Sequence, residues 1–216
     1  MIAALFVETN GAYFGLPDVD PWDGQRDARL YAGPWPVVAH PPCSRWCRLA
    51  GLVEARWHGK TVGKGKRRRV VSAKRGDDGG CFASALASVR KWGGVLEHPA
   101  YSDAFAAYNL PAPRPGGWQR TICGGWVAHV EQGRYGHPAK KATWLYAFGA
   151  TALPSLVWAT SLDRDSKALV SWCGNHLRGR PNDRPRLKQK AGSATPPEFR
   201  EVLMSIARSA RQAEAA

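Results

Sequence analysis

Two short apolar runs, each of which stops at proline, constrain the fold of this chain more than any other feature. Residues 35–39 (WPVVA) stop at residues 40–43 (HPPC), and residues 95–96 (VL) lead into residues 97–99 (EHP). Proline lacks the backbone donor that a continuing strand or helix requires. Residues 77–92 lie between the runs and carry apolar side chains at helical spacing before Gly-Gly ends the pattern. Strand, helix and strand in this order predict a parallel sheet.

The rest of the chain extends this sheet. Residues 2–7 (IAALFV) are apolar and partly β-branched, which predicts a first buried strand, and residues 126–130 and 143–148 predict two more. A Pro-led amphipathic pattern predicts a helix over 196–211. Residues 8–27 are rich in Asp, Pro and Gly, and we expect them to form a long loop. The predicted fold class is α/β, with three layers and a mostly parallel, Rossmann-like sheet.

The chain carries a large positive charge. Its 31 Lys and Arg residues outnumber its 17 Asp and Glu residues, which gives a formal net charge of +14. Such an excess is typical of proteins that bind a polyanion, although a basic but indifferent surface is the alternative. Residues 59–75 and 174–192 are both basic and rich in Gly or Pro. We interpret them as insertions in a single domain over residues 1–216, and expect the first to contact DNA phosphates. Its centre is a run of three arginines, Arg67, Arg68 and Arg69.

Cysteine use and hydropathy limit where the protein functions. Five cysteines, an odd number with one close pair, do not form a disulfide framework. No run reaches the roughly 20 apolar residues that cross a bilayer, and the N-terminal residues lack the basic start of a secretion signal. We therefore expect a protein of a reducing cytoplasm that has no membrane partner.

Cys43 and Glu97 are the candidate catalytic residues. Each follows a predicted strand, and the carboxyl ends of parallel strands meet at the sheet edge where ligands of such folds bind. A thiolate suits addition to C6 of a pyrimidine, and a carboxylate that holds the N3 side favours charge on the ring. C5 then becomes the nucleophile. The sequence therefore predicts a base-modifying site that contains both side chains.

Three segments resemble the DNA cytosine C5-methyltransferases. Residues 37–46 (VVAHPPCSRW) are similar to the family's Pro-Cys motif, and residues 93–100 (GGVLEHPA) to its Glu-Asn-Val motif in a degenerate, phage-type form. Residues 134–149 (RYGHPAKKATWLYAFG) resemble its Tyr-Gly-x-Pro-Gln-x-Arg-x-Arg segment. The resemblance implies a methyltransferase-like fold, Cys43 as nucleophile, S-adenosylmethionine as cofactor and a cytosine of DNA as substrate.

The resemblance also implies positions for the cofactor and the DNA. Residues 6–15 (FVETNGAYFG) take the place of the family's Phe-x-Gly-x-Gly loop, with altered spacing. The residues expected to contact S-adenosylmethionine are Glu8, Asn10, Gly11 and Asp20. Those expected to contact DNA, besides the three arginines, are Arg45, Arg134, Lys140 and Lys141. The compact chain is similar in style to phage genome-modification proteins, for which the location is the cytoplasm of a bacterial host.

Several residues allow other interpretations. Cys43 could equally be an inert core cysteine, or bind a metal ion with His40 and Cys47. Trp46 and Trp57 are either core residues or platforms that stack on an extruded base. One alternative for the whole chain is a degenerate methyltransferase fold that binds DNA without changing it. Four carboxylates of the first loop also allow a DNA glycosylase or base transglycosylase that needs no methyl donor: Asp18, Asp20, Asp23 and Asp27.

Overall fold

The computed structural model describes residues 1–157, 169–170 and 185–210. The strands are β1 (Ile2–Leu5), β2 (Val19–Trp22), β3 (Val37–Ala39), β4 (Thr61–Val62), β5 (Arg69–Val70), β6 (Gly94–Pro99), β7 (Gln119–Arg120), β8 (Trp126–Glu131), β9 (Ala142–Phe148), β10 (Leu169–Val170) and β11 (Arg186–Leu187). The helices are α1 (Ala50–Trp57), α2 (Cys81–Trp92), α3 (Asp103–Ala107), α4 (Gln189–Ser193) and α5 (Pro197–Ser209). Within these described ranges, no helix has the length and apolar character needed to span a bilayer.

Seven strands form one mixed sheet in the order β2-β1-β3-β6-β9-β8-β7. The first four strands run parallel, and β9, β8 and β7 each run antiparallel to the strand before them in this order. The predicted α/β class is confirmed, although one side of the sheet is antiparallel. The chain passes from β1 to β2 on one side and returns to β3 on the other. In α/β sheets such a reversal of strand order opens a crevice that takes ligands.

The strands present alternate side chains to two apolar cores. Leu5 of β1 packs in one core with Phe82 of α2, and its neighbour Ala4 packs in the other with Phe199 of α5. The side chains alternate between the two faces of the sheet because successive residues of a pleated strand point in opposite directions. All four side chains are fully buried, and truncating a buried phenylalanine to alanine typically costs about 3–5 kcal/mol. The two helices therefore hold the sheet that carries the loops at its edge.

Asp78 anchors the start of α2, and Gly94 allows β6 to pair closely with β3. Asp78 Oδ2 accepts hydrogen bonds of 2.8 Å from the Phe82 amide and from Trp46 Nε1, which anchors the start of α2. Gly94 opens β6 with a φ of 122°. A Cβ at this position would overlap the carbonyl oxygen of Val37. Only glycine therefore lets β6 pair so closely with β3.

The structure adds elements that the sequence patterns do not show. β2 lies inside the predicted loop of residues 8–27, α1 follows the HPPC segment, and residues 59–75 contain the β4–β5 hairpin. Residues 174–184 of the second basic segment lie outside the described residues. The other predicted strands are confirmed, as are the helices predicted over 77–92 and 196–211, with bounds shifted by a few residues.

Candidate active site

A cavity of about 450 Å³ opens at the carboxyl ends of β1, β3 and β6. This is the sheet edge at which the strand order reverses. Its volume falls in the range of roughly 300–1,000 Å³ that is usual for small-ligand sites. Cys43 and Glu97, the predicted catalytic residues, both line this one cavity. The complete lining consists of residues 6–8, 12–13, 40–43, 97, 99, 141 and 193–195.

The pairing of β3 with β6 places His40 opposite Glu97. The last paired positions are Ala39 and Leu96, so His40 and Glu97 follow in register and point to the same face of the sheet. His40 Nδ1 lies 2.9 Å from Glu97 Oε2, and His40 Nε2 lies 2.8 Å from the hydroxyl oxygen of Tyr13. A neutral imidazole that donates from Nδ1 to Glu97 accepts at Nε2 from Tyr13. The three side chains thus form one chain of hydrogen bonds.

Glu97 is buried and ionised. Gln132 Nε2 donates to Glu97 Oε1 at 3.0 Å and to Thr143 Oγ1 at 2.9 Å. Burial alone would raise the pKa of Glu97, but the interaction with His40, aided by the charge of Lys141, outweighs it and holds the pKa at about 2. Each carboxylate oxygen therefore has a fixed protein partner and keeps a second lone-pair direction for a ligand.

The Cys43 thiol is protonated in the resting cavity. Burial raises its pKa to about 11, and the negative charge of Glu97 and the electrostatic influence of the nearby Cys47 act in the same direction. Lys141 is the cation that opposes them. A backbone hydrogen bond at Cys43 also favours the thiolate, so ionisation of Cys43 depends on this bond, on the charge of Lys141 and on any change that a ligand brings.

Lys141 is the cation of the cavity. Its Nζ donates to the carbonyl oxygens of Ser193 at 2.8 Å and Ala194 at 2.7 Å, where α4 ends. Its backbone φ is 42°, an uncommon left-handed conformation for a residue other than glycine. Desolvation lowers its pKa, whereas Glu97 and Cys43 both raise it. The sequence resemblance assigns Lys141 to DNA, and the structure places it in the cavity with the candidate nucleophile.

The other cations expected to contact DNA lie outside the cavity. Arg45 donates to the Ser72 carbonyl and so fastens the base of the β4–β5 hairpin. Lys140 pairs with Glu131 at 3.2 Å, and Arg134 lies in the 3₁₀ turn that follows β8. These side chains belong to the surface around the site rather than to its lining. The three arginines of the hairpin segment are exposed: Arg67, Arg68 and Arg69.

Trp46 and Trp57 have different environments. Trp46 is buried and donates to Asp78, so it is a core residue and not a platform for a base. Trp57 ends α1 and is 41% exposed. The guanidinium of Arg56 and the ammonium of Lys60 lie 5.3 Å and 6.0 Å from the Trp57 ring centroid. Exposed aromatic rings beside cations are typical of surfaces on which nucleobases stack.

The residues expected to hold S-adenosylmethionine are not all placed to do so. Glu8 lines the cavity, whereas Asn10 and Gly11 form a tight turn behind it. The Gly11 amide donates to the Glu8 carbonyl at 2.9 Å, and a Cβ on Gly11 would lie 2.8 Å from that oxygen. The chain's own turn therefore requires this glycine. Asp20 lies on β2, where it pairs with Arg26, and does not line the cavity.

The aspartates of the first loop have partners outside the cavity. Asp18 pairs with Arg208 at 2.8 Å and Asp27 with Arg29 at 2.6 Å. Asp23 accepts a hydrogen bond from a threonine hydroxyl. None of these carboxylates lines the cavity. The arrangement therefore does not place an aspartate as the nucleophile of a glycosylase.

The sequence does not identify His40 as the partner of Glu97. It allows His40 only as a metal ligand with Cys47, but both ring nitrogens of His40 are engaged by Glu97 and Tyr13. In the described part of the chain, no group of three or more His, Cys, Asp or Glu residues is arranged to hold a metal ion. The one available signal is the alternation of Val38 and His40, which places the side chain of His40, directly after β3, on the same face of the sheet as Val38.

No family model matches the chain, and neither curated proteins nor solved structures match it. The function is therefore inferred from the chemistry of the cavity and from the charge of the surface around it.

Proposed function

We propose that the chain is a DNA base-modifying enzyme that acts on cytosine through Cys43, on a three-layer, Rossmann-like domain similar to that of the C5-methyltransferases. One observation carries the proposal: Cys43, Glu97 and Lys141 line a single cavity at the reversal of strand order. A thiol, a carboxylate and a cation are the three groups that addition to a pyrimidine needs. A cavity of about 450 Å³ has room for one extruded base.

Cys43 supplies the nucleophile in this reaction. Its Sγ–H bond breaks with transfer of the proton to water, and the thiolate adds to C6 of the ring with formation of an Sγ–C6 bond. The electron pair of the C5–C6 double bond moves toward C5 and N3, where Glu97 faces the base. Breaking the Sγ–C6 bond at the end of the reaction, with loss of the C5 proton, restores both the thiolate and the aromatic ring.

Glu97 and His40 manage the proton at N3. The resting Glu97 carboxylate accepts a hydrogen bond from the 4-amino group of cytosine. A proton that N3 takes up during addition comes from water by way of Glu97 and returns to water when the ring is restored, while the His40 imidazole, which the Tyr13 hydroxyl orients at 2.8 Å, holds the carboxylate in place. Burial keeps the pKa of Tyr13 well above its usual range, so its hydroxyl remains a donor.

S-adenosylmethionine is the proposed methyl donor. Glu8 fits this cofactor, because its carboxylate lies at the end of β1 and lines the cavity, where it could accept hydrogen bonds from ribose hydroxyls. Phe6 and Val7 add an apolar wall beside it. When bound, S-adenosylmethionine supplies the methyl group that C5 takes up.

The basic surface beside the cavity serves to hold the DNA. The segment from residue 45 to residue 75 carries 11 Lys or Arg residues and one acidic residue, Glu54. It begins two residues after Cys43, so phosphate contacts made by the hairpin would hold the strand next to the nucleophile. Trp57 offers a stacking surface for a base that flanks the extruded one.

Mass spectrometry of nucleosides tests the function. DNA from cells that express the wild-type chain should contain a modified cytosine, with 5-methylcytosine expected. DNA from cells that express Cys43→Ala at the same level should lack it, because the covalent step is lost. Unmodified DNA from both strains, with tight DNA binding by the purified chain, would instead support a protein that binds DNA without changing it. A modified base that persists in Cys43→Ala would reject the nucleophile.

A further inference from the structure

Lys141 connects two parts of the cavity that are far apart in the sequence. Its Nζ donates to the carbonyls of Ser193 and Ala194, which form the wall of the cavity at the end of α4. An ammonium has three N–H bonds, so one remains beyond these two. Cys43 and Glu97 line the same cavity as this ammonium. The wall that residues 193–195 provide thus holds a cation in place beside the candidate nucleophile.

We propose that Lys141 is the positioning residue that stabilises the Cys43 thiolate, and that the carbonyls of Ser193 and Ala194 hold its ammonium in the place where it does so. Ionisation breaks the Sγ–H bond and transfers the proton to water, and the sulfur anion then faces the ammonium. The role rests on the proposed function only in taking Cys43 as the nucleophile. Reactivity of the thiol itself can be measured without DNA.

The groups around Cys43 explain why the charge of Lys141 matters for ionisation of the thiol. Glu97 and the neighbouring Cys47 both disfavour a thiolate at Cys43, and burial does so most strongly. Lys141 is the cation that acts in the opposite sense, alongside a backbone hydrogen bond at Cys43 that also favours the thiolate. Replacing Lys141 with an uncharged residue removes this positive charge, whereas the carboxylate of Glu97 stays ionised at every pH at which a thiol titrates.

Alkylation with iodoacetamide, followed by peptide-resolved mass spectrometry between pH 6 and pH 10, tests this role. Trypsin separates Cys43 from Cys47, because Arg45 lies between them. In Lys141→Met the alkylation rate of Cys43 at pH 8 should fall severalfold, since loss of a nearby positive charge raises the pKa of a thiol. Lys141→Arg should restore most of the rate because it keeps the charge.

Lys140→Met is the matched control. Its ammonium pairs with Glu131 outside the cavity, so the alkylation of Cys43 should match that of the wild type. Equal Cys43 rates in wild type and Lys141→Met, with equal melting temperatures, would overturn the proposal. Equal losses in Lys141→Met and Lys141→Arg would also overturn it, since packing rather than charge would then be responsible. If the alkylation rate of Cys43 depends on Lys141 but the wild-type chain modifies no DNA, the role of Lys141 stands and the proposed function is rejected.

Discussion

At the scale of single residues, the buried pair of His40 and Glu97 determines the charge of the site. Glu97 is held ionised with a pKa of about 2, and its charge raises the pKa of Cys43. The carboxylate therefore opposes ionisation of the thiol, whereas in the proposed reaction it holds the base. Because the two effects have opposite signs, a single substitution separates them.

Glu97→Gln should make Cys43 more reactive toward iodoacetamide and less reactive toward DNA. Removing the negative charge lowers the pKa of the thiol, so alkylation at pH 8 should accelerate severalfold. The amide cannot pass a proton to N3, so modification of cytosine should slow by about a hundredfold or more, as expected for loss of a general acid–base group. Both rates are measured on the same preparation.

Glu131→Gln is the control for this pair of measurements. Glu131 pairs with Lys140 and does not line the cavity, so the alkylation rate of Cys43 should stay at its wild-type value. Slower alkylation of Cys43 in Glu97→Gln would contradict the electrostatic role assigned to the carboxylate.

The sequence could predict Cys43 and Glu97 but not the residues that control them. Cys43 follows the apolar run that forms β3, and Glu97 follows the next apolar run of the sequence but lies within β6, near its end. The carboxyl ends of these two neighbouring strands meet at one edge of the sheet. The partnership of His40 with Glu97 depends on a strand register across 57 residues, which no local pattern specifies. Lys141 is part of a basic run that reads equally well as a DNA contact. Its place in the cavity depends on the carbonyls of residues 193 and 194.

Among the secondary-structure elements, the β4–β5 hairpin is the one expected to contact the DNA phosphates. Replacing Arg67, Arg68 and Arg69 with alanine should weaken binding to all DNA sequences alike. The slope of log affinity against log salt should flatten by about 0.9 for each phosphate that the hairpin no longer neutralises. Fluorescence anisotropy with a labelled duplex, titrated at several salt concentrations, measures this slope.

Arg114→Ala combined with Arg120→Ala is the comparison for the hairpin variant. Both arginines are exposed, and Arg120 lies on β7, at the opposite side of the sheet from β1. Their removal should lower the affinity for DNA slightly, because the net positive charge of the protein falls. The slope of log affinity against log salt should stay close to that of the wild type. An unchanged slope in the hairpin variant would place the DNA elsewhere.

Elements with a buried apolar face could be predicted, and elements without one could not. α2 shows helical spacing because Phe82 and Leu86 pack in the core. α1 buries only Ala50 and exposes Leu52, so its sequence lacks a helical apolar stripe. β2 contains Pro21, which is tolerated because β2 is an edge strand of the sheet. The sequence therefore reads as loop at both places.

At the scale of the whole molecule, buried ionisable groups make folding depend on pH. His98 is fully buried in a T-shaped contact with the Phe82 ring, and neither of its ring nitrogens has a hydrogen bond of normal geometry. Burial lowers the pKa of His98 from 6.5 to about 4. The unfolded chain therefore binds a proton between pH 6.5 and pH 4 that the folded chain does not bind, and stability is lost as the pH falls through this range.

The free energy of unfolding should decrease by about 3 kcal/mol between pH 7 and pH 4 from His98 alone, with smaller losses of the same sign from His129 and His137. Glu97 adds a further loss between pH 4.5 and about pH 2, where the unfolded chain takes up a proton first. Urea unfolding at a series of pH values measures both ranges.

His98→Leu should reduce the dependence of the free energy of unfolding on pH between pH 7 and pH 4. The leucine fills a similar space without a group that must stay neutral, so stability near pH 5 should exceed that of the wild type. If the free energy of unfolding falls as steeply between pH 7 and pH 4 in His98→Leu as in the wild type, His98 is not the source of the pH dependence.

Trapping with 5-fluorocytosine tests whether Cys43 forms the proposed covalent bond to a cytosine of DNA. Fluorine at C5 blocks the loss of the C5 proton, so the Sγ–C6 bond formed by addition should persist. With S-adenosylmethionine and a duplex that contains 5-fluorocytosine, the wild-type chain should give a complex that survives denaturing electrophoresis. Cys43→Ala should give none while it keeps its affinity for the same duplex. A wild-type chain that binds this duplex without a stable adduct, or a Cys43→Ala chain that forms one, would contradict the claim.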